Sequence, residues 1–300
     1  MADAHDLDFT YSLTDRVFRL SLGELADFSG AKYDGDFSLT LEQAQERKHD
    51  YIAEQLGIGR GTRVLDLGCG WGPMLADIRG RGGTGVGVTL SSAQLKACRK
   101  WGLDAHLMDA LTVDRSTFGP FDNVVSLGAF EHFCSPEQHA AGRQDEIYAR
   151  LFENIAGMVE PGRRIYIQTM VFGRNMIDPA DVSLDAPKGS DAWYLALLRT
   201  MFPGSMLPFG AEQVIRNAQP HFELVDQQSG RLDYIQTISE WHKRFAAFSV
   251  KKTLWKATLV PRWLTSQEFR LAFTSGESPN TVTFERELLD HFRLVFERRA

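Results

Sequence analysis

The chain has 300 residues, enough for one large α/β domain or for a core domain with an appended cap. Its 43% hydrophobic and 11% aromatic content supports a sizeable core, and no apolar run approaches the length of a membrane span. A net charge of −6 argues against general nucleic-acid binding, and the three cysteines (Cys69, Cys98, Cys134) show no metal-ligand spacing and suit a reducing cytoplasm.

In chain order, the polar opening Met1-Ala2-Asp3-Ala4-His5-Asp6 predicts no signal peptide. Residues 40–56 read as an amphipathic helix, opened by a capping box between Thr40 and Gln43 and closed by Gly57. Val64-Leu65-Asp66-Leu67 then reads as a buried strand, and Gly68-Cys69-Gly70-Trp71-Gly72 as a tight turn into a helix. Such a turn needs positive φ angles and lets a ligand approach the backbone closely, which glycine permits at least cost. A second strand, Thr84-Gly85-Val86-Gly87-Val88-Thr89-Leu90, leads to a helix opened by Ser91-Ser92. This is a βαβ unit with its ligand loop after the first strand, as in nucleotide-binding doubly wound folds.

The loop is Gly-x-Gly-x-Gly, shorter than the dinucleotide fingerprint, and Thr89-Leu90 stands where a nicotinamide site would place an acidic residue. It also lacks the Lys-Ser/Thr end of a P-loop. A nucleoside without a pyrophosphate fits such a loop, with S-adenosylmethionine the leading candidate. Farther on, Phe121-Asp122-Asn123-Val124-Val125-Ser126-Leu127-Gly128 reads as the fourth strand, and Ser135-Pro136 as the cap of a helix. The turn Glu160-Pro161-Gly162 enters a fifth strand, Arg163-Arg164-Ile165-Tyr166-Ile167-Gln168-Thr169. Residues 171–211 break the alternation and read as a cap or substrate lid. Sheet structure resumes at Phe222-Glu223-Leu224-Val225 and ends with the run from His291 to Arg298; the stretch 234–289 reads as helical.

Several ordered motifs together resemble the cyclopropane-fatty-acid and mycolic-acid cyclopropane synthase family of S-adenosylmethionine-dependent methyltransferases. They are the glycine loop, Val88-Thr89-Leu90-Ser91-Ser92-Ala93-Gln94, and Ser126-Leu127-Gly128-Ala129-Phe130-Glu131-His132-Phe133. Outside the core, the segment from Tyr11 to Leu20, Phe28-Ser29, the run from Phe202 to Pro208 and the run from Asp233 to Trp241 continue the likeness. The resemblance implies a Rossmann-like class I methyltransferase fold: α/β, with a seven-stranded sheet, mostly parallel with an antiparallel last strand, plus a helical cap. Residues 1–60 would cover the cofactor and 61–170 form its binding core. Residues 171–220 and 234–289 would form acceptor-binding cap insertions, with 221–233 and 290–300 closing the sheet.

By the same resemblance, Gly68 and Gly70 lie against the methionine part of S-adenosylmethionine. Thr89, Leu90 and Gln94 hold the ribose and adenine, Asp109 and Ala110 line the adenine pocket, and Phe28 and Ser29 cover it. Asp66 and Leu127 complete the expected cofactor set. Read on their own, Gln94 is also a capping partner of Ser91 and Asp66 a loop-organising carboxylate. Glu131, just past the fourth strand, and Tyr234 are the expected catalytic residues. A carboxylate there steadies a cation or removes a proton after methyl transfer.

The family holds a bicarbonate with a glutamate, a tyrosine, a histidine and a cysteine. Glu131 and Tyr234 match the first two, but Gly30 stands at the cysteine position and Gln168 at the histidine position. That departure argues against bicarbonate and ring closure, and favours a methyl-branched or methylene product. The expected function is methyl or methylene transfer to an unsaturated acyl chain of a lipid or carrier-bound acceptor. The alternative is C- or N-methylation of a small molecule, in which Glu131 and His132 orient an amine; on its own His132 reads as a helix-start histidine bonded to backbone. Trp193, Tyr194, Phe202, Phe209, Trp241, Phe245 and Phe248 are candidates to line an acyl channel, although each singly reads better as core. Lys251, Lys252, Trp255, Lys256, Arg262 and Trp263 form a basic-aromatic stretch suited to an anionic membrane or an acidic carrier. Localisation is expected to be cytoplasmic, with peripheral contact at the inner membrane face if that stretch meets lipid.

Overall fold

Short β-branched runs alternate with capped helical segments along this chain, and that alternation builds a doubly wound sheet. The computed structural model describes residues 15–16, 18–23, 25–202, 204–265 and 278–300, apart from the Arg262 side chain. Residues 11–14 of the N-terminal motif, Pro203 and the 266–277 part of the cap lie outside the described residues.

The first half runs α1 Leu41–Leu56, β1 Arg63–Leu67, α2 Pro73–Gly80, β2 Thr84–Thr89, α3 Ser92–Lys100 and β3 Asp104–Leu107. Then come α4 Arg115–Phe118, β4 Asn123–Leu127, α5 Pro136–Ala140, α6 Gln144–Met158 and β5 Arg164–Phe172. The second half contains α7 Asp191–Met201, α8 Gly210–Ala218, β6 Phe222–Ser229, α9 Arg231–Ala246, α10 Val250–Ala257, α11 Val260–Thr265, α12 Pro279–Glu285 and β7 Leu289–Arg298. The seven strands lie in the order β3-β2-β1-β4-β5-β7-β6. Every pairing from β3 to β5 is parallel, and β7 runs antiparallel to both β5 and β6.

The expected sheet is present, with several strand ends shifted, the sixth strand running on to Ser229 and the seventh starting at Leu289. The fourth strand starts at Asn123, Phe121 making only an isolated bridge to Val159. The fifth runs on to Phe172 because its ladder with β7 continues unbroken from Arg164↔Glu297 to Phe172↔Leu289. The strand order reverses between β1 and β4, so ligands are expected beyond the carboxyl ends of those two strands. Leu65, Val88, Val124, Ile165 and Ile167 pack there against Ile147, Leu151 and Phe152 of α6.

Helix α1 does more than cover the sheet. Thr40 Oγ1 accepts from the Gln43 amide at 3.2 Å while Gln43 Oε1 accepts from the Thr40 amide at 2.9 Å, the expected capping box. Its inner face carries Lys48, fully buried, whose Nζ donates to Asp27 Oδ1 and Oδ2 at 2.9 and 2.8 Å and to Ser29 Oγ at 2.7 Å. Gln45 Nε2 donates to the Ser29 carbonyl at 2.9 Å. The helix thereby fixes the segment 27–31 above the sheet.

Burial alone would raise the Asp27 carboxyl, but Lys48 and His49 outweigh it and hold it well below the usual carboxylate range. Its stabilisation is therefore complete above the ordinary carboxylate pKa and lost as pH falls through the lower folded value. Lys48→Met leaves a buried anion without its ammonium and should cost about 3–5 kcal/mol in urea unfolding at neutral pH. The loss should shrink below about pH 4. Equal stability of parent and variant at neutral pH would show that the pair does not hold the segment.

Candidate active site

The loop that follows β1 and the loop that follows β4 touch at their tips. Gly68, with φ 88°, lies so near Ala129 that a Cβ on it would overlap the alanine methyl. The space in front of these loops is a cleft at the strand-order switch. Every residue expected to bind the cofactor lines it. Asp66, Gly68 and Gly70 come from the β1 end, Thr89, Leu90 and Gln94 from the β2–α3 corner, and Asp109 and Ala110 from beyond β3. Leu127 closes the β4 side, and Phe28 and Ser29 form the cover.

The polar groups of the cleft are set by their surroundings. Asp66 is buried, and its Oδ1 has no hydrogen-bond partner. Burial and the nearby Asp27 charge push its carboxyl up to about 7, against the pull of Lys48. Gln94 departs from the expected capping box: Ser91 Oγ accepts from the Gln94 amide at 3.3 Å, but the Gln94 side chain turns to Thr89. Thr89 Oγ1 donates to Gln94 Oε1 at 2.7 Å, so both side chains are arranged along the cleft wall. Asp109 caps the following turn, its Oδ1 accepting from the Leu111 amide at 2.8 Å.

A second chamber of about 460 Å³ adjoins the first, sharing Phe28, Ser29, Gly128 and His132 as common wall. It contains Glu131, Tyr234, Gly30 and Gln168, and its apolar wall includes Met170, Phe172, Met176, Leu195, Leu198 and Phe202. Glu131 is buried. Its Oε1 accepts from the Met170 amide at 2.7 Å, and its Oε2 is unpartnered. Burial pushes this carboxyl up to about 7 despite the Met170 amide. His132 binds Ser205 Oγ through Nδ1 at 2.7 Å, and burial lowers it to about 4.

The cover is an aromatic stack. Phe28 lies between Phe18 and Trp241, with centroids 4.2 and 4.3 Å away and planes inclined by 21° and 24°. Of the aromatic residues expected along a channel, Phe202 and Trp241 line the chamber. Trp193 and Tyr194 belong to a separate core cluster, Phe209 stacks on His139, and Phe248 is 85% exposed. In the basic-aromatic stretch, Lys252 is buried and donates to the Arg244 carbonyl, so it leaves the exposed face.

Gly30 and Gln168 are occupied by structural roles. Gln168 Nε2 donates to the Gly30 carbonyl at 2.9 Å and its Oε1 accepts from Tyr166 at 3.0 Å. A Cβ on Gly30 would stand 2.7 Å from the Tyr234 ring and 2.9 Å from His291 Cε1. An imidazole therefore does stand in the chamber, brought by β7 rather than by β5. The sequence reading missed His291 because only the β5·β7 register, Met170 opposite His291, carries it to this wall. Arg293, which helps to pin the cover from below, was missed for the same reason, and Lys48 and Asp233 because their partners Asp27 and Arg293 are distant in sequence.

The family model described as mycolic acid cyclopropane synthetase matches residues 1–263. The chain is 30% identical over 241 residues to the cyclopropane-fatty-acyl-phospholipid synthase of Escherichia coli, covering 79% of this chain but only 55% of that protein. With cyclopropane mycolic acid synthase MmaA2 of Mycobacterium tuberculosis it shares 30% identity over 244 residues, 79% of this chain and 80% of the relative. The solved structure of mycolic acid cyclopropane synthase CmaA1 complexed with SAH and CTAB superposes with a TM-score of 0.76, at 23% identity and 98% coverage of both chains. With the glycine loop, the covered cleft and Glu131 all in place, the chain belongs to the mycolic acid cyclopropane synthetase family.

Proposed function

We propose that this protein transfers a one-carbon unit from S-adenosylmethionine to an unsaturated acyl chain of a lipid. One observation carries the reading: the cleft expected to hold a nucleoside opens, across Phe28 and Ser29, into an apolar chamber that contains a buried carboxylate. Family membership and the SAH in the CmaA1 complex support the choice of cofactor. The residues fit that molecule. The unpartnered Asp66 Oδ1 is an acceptor for an ammonium, and the Gly68–Gly70 backbone leaves room beside it. Thr89 and Gln94 offer polar atoms to a ribose, and Ala110 and Leu127 offer apolar walls to an adenine.

S-adenosylmethionine supplies an electrophilic methyl group on a sulfonium. The chain's own work is to hold the alkene in line with that methyl and to exclude water, to which the apolar walls of the chamber are suited. Glu131 lies in the chamber wall, where its carboxylate opposes the positive charge that develops on the acyl carbon. Tyr234 lines the same wall from α9. Gly30 and Gln168 leave no thiol or imidazole at the positions where the family binds bicarbonate, and Gln168 is committed to the Gly30 carbonyl, which supports turnover without that anion.

The helices α10 and α11 expose Val250, Leu254, Val260, Trp263 and Leu264 beside Lys251 and Lys256, a face suited to an anionic lipid surface. Among the described residues, no helix is long and apolar enough to cross a membrane. Contact at that face would be peripheral.

Mass spectrometry of lipids from cells expressing the protein should show acyl chains heavier by one CH₂, and silver-ion chromatography will separate ring from alkene products. Unaltered lipids would overturn the reading. An ammonium bound at Asp66 favours its carboxylate form, so the complex binds fewer protons than the free protein. Affinity for S-adenosylhomocysteine should therefore rise with pH across about one unit either side of pH 7, with a proton released on binding. Calorimetry in buffers of different ionisation enthalpy measures that proton. Asp66→Asn should abolish its release and weaken binding by about tenfold to a hundredfold. Glu131→Gln should leave that affinity unchanged while turnover falls by about a hundredfold or more. Parent activity should be the same in carbonate-depleted buffer as after bicarbonate is restored; strong stimulation would show that the anion is still held.

A further inference from the structure

His291 is a buried side chain, 2% exposed, on β7 and in the wall of the acceptor chamber. It is built in from three sides. Its ring lies parallel to Tyr234, with centroids 4.8 Å apart and planes 6° from each other. A Cβ on Gly30 would stand 2.9 Å from Cε1 and 3.0 Å from Nε2, and one on Gly230 would stand 2.5 Å from Nδ1. The imidazole fits only because both neighbours lack a side chain. The Gly230 amide also donates to the His291 carbonyl at 2.7 Å. In the β5·β7 ladder His291 is opposite Met170, the residue whose amide holds Glu131. One rung of the sheet thus sets the acid and the imidazole in the same chamber.

No packing requirement explains a polar ring here. Nδ1 is buried without a hydrogen-bond partner, a cost that phenylalanine or leucine would avoid. Burial, with the positive charges of Arg293 and Lys48, holds the imidazole well below its ordinary pKa, so it is neutral at physiological pH. Its lone pair is then free, and an imidazolium formed there would give its proton up readily. Glu131 has one oxygen committed to the Met170 amide.

We propose that His291 is a further catalytic residue, whose Nε2 takes the proton that leaves the acceptor after carbon–carbon bond formation. The proposal rests on the one-carbon transfer to an alkene argued above. In that reaction a C–C bond forms to one alkene carbon as the S–CH₃ bond breaks, leaving positive charge on the other alkene carbon. The Nε2 lone pair accepts one C–H proton, and the C–H electron pair closes either a ring C–C bond or a new C=C bond. The imidazolium then loses its proton to solvent when product leaves.

Two variants test this. His291→Phe keeps a ring against Tyr234 and removes both nitrogens. It should bind S-adenosylhomocysteine with the parent's affinity and melt at the parent's temperature, while turnover falls by about a hundredfold or more. His291→Ala opens a ring-sized space beside the chamber. Imidazole added to it should restore turnover, whereas pyrrole, the same size but without a basic nitrogen, should not. Parent-like turnover in His291→Phe would overturn the proposal, as would rescue by both rings or by neither. If His291→Phe fails to fold, the rescue of His291→Ala decides alone. A parent that adds no carbon to any acyl chain would instead overturn the function proposed above.

Discussion

Everything in the site depends on how one short segment, residues 27–31, is held down. Its polar groups are bonded by buried side chains from four elements. Lys48 and Gln45 of α1 hold Asp27 and Ser29, and Gln168 of β5 holds the Gly30 carbonyl. Arg293 of β7 donates to the Ala31 carbonyl at 2.8 Å, and Thr237 of α9 accepts from the Ala31 amide at 3.0 Å. Arg293 is itself paired with Asp233 at 2.9 Å. An irregular strand of backbone can cross a protein interior only if its amides and carbonyls are satisfied, and here side chains replace a missing ladder. The segment is also the partition between cleft and chamber, so the same bonds that stabilise it define the distance across which a group can be transferred.

The partition sorts the charges on either side. Asp27, in contact with Lys48, stays ionised despite burial. Asp66 and Glu131 are more completely buried and have no cation in contact, and both rise to about 7. Lys48 and Arg293 lie under the cover rather than in the chamber, where the buried ionisable groups are a carboxylate and a neutral imidazole. The guanidinium in the chamber lining, Arg199, is exposed, so solvent screens it from a positive charge developing on an acyl carbon.

The cleft was legible in the sequence because its determinants are local. Glycines after β1 and the Thr89–Gln94 corner each lie within a few residues of the strand or helix end that aims them, whereas the Phe28-Ser29 pair, held from distant elements, was reached through the family resemblance. Short-range cap chemistry was legible too, as at Thr40 and Gln43. What escaped was everything built by long-range register. His291 and Arg293 alternate on β7 in a run that reads as an ordinary strand, and nothing local says which strand they face. Lys48 reads as a surface lysine in a mixed helix until Asp27 is seen beneath it. The aromatic residues divided by the same rule: Phe202 and Trp241 reached the chamber, whereas Trp193 and Tyr194 filled a core of their own.

The place of β7 between β5 and β6 has a consequence for synthesis. The cleft draws its lining from 26–133, so its walls are synthesised first, but its cover is not pinned until Gln168, Thr237 and Arg293 arrive. The chamber waits for β7 as well. Strand β5 offers a nine-residue edge as soon as it emerges, and β6 arrives next but has no place beside it until β7 inserts between them. During that interval the nascent protein carries two unpaired edges, that of β5 mostly apolar and so prone to pair with another chain. Truncation upstream of Leu289 would fix the molecule in that state, with its cleft walls made but its cover short of Arg293, and open to aggregation along β5.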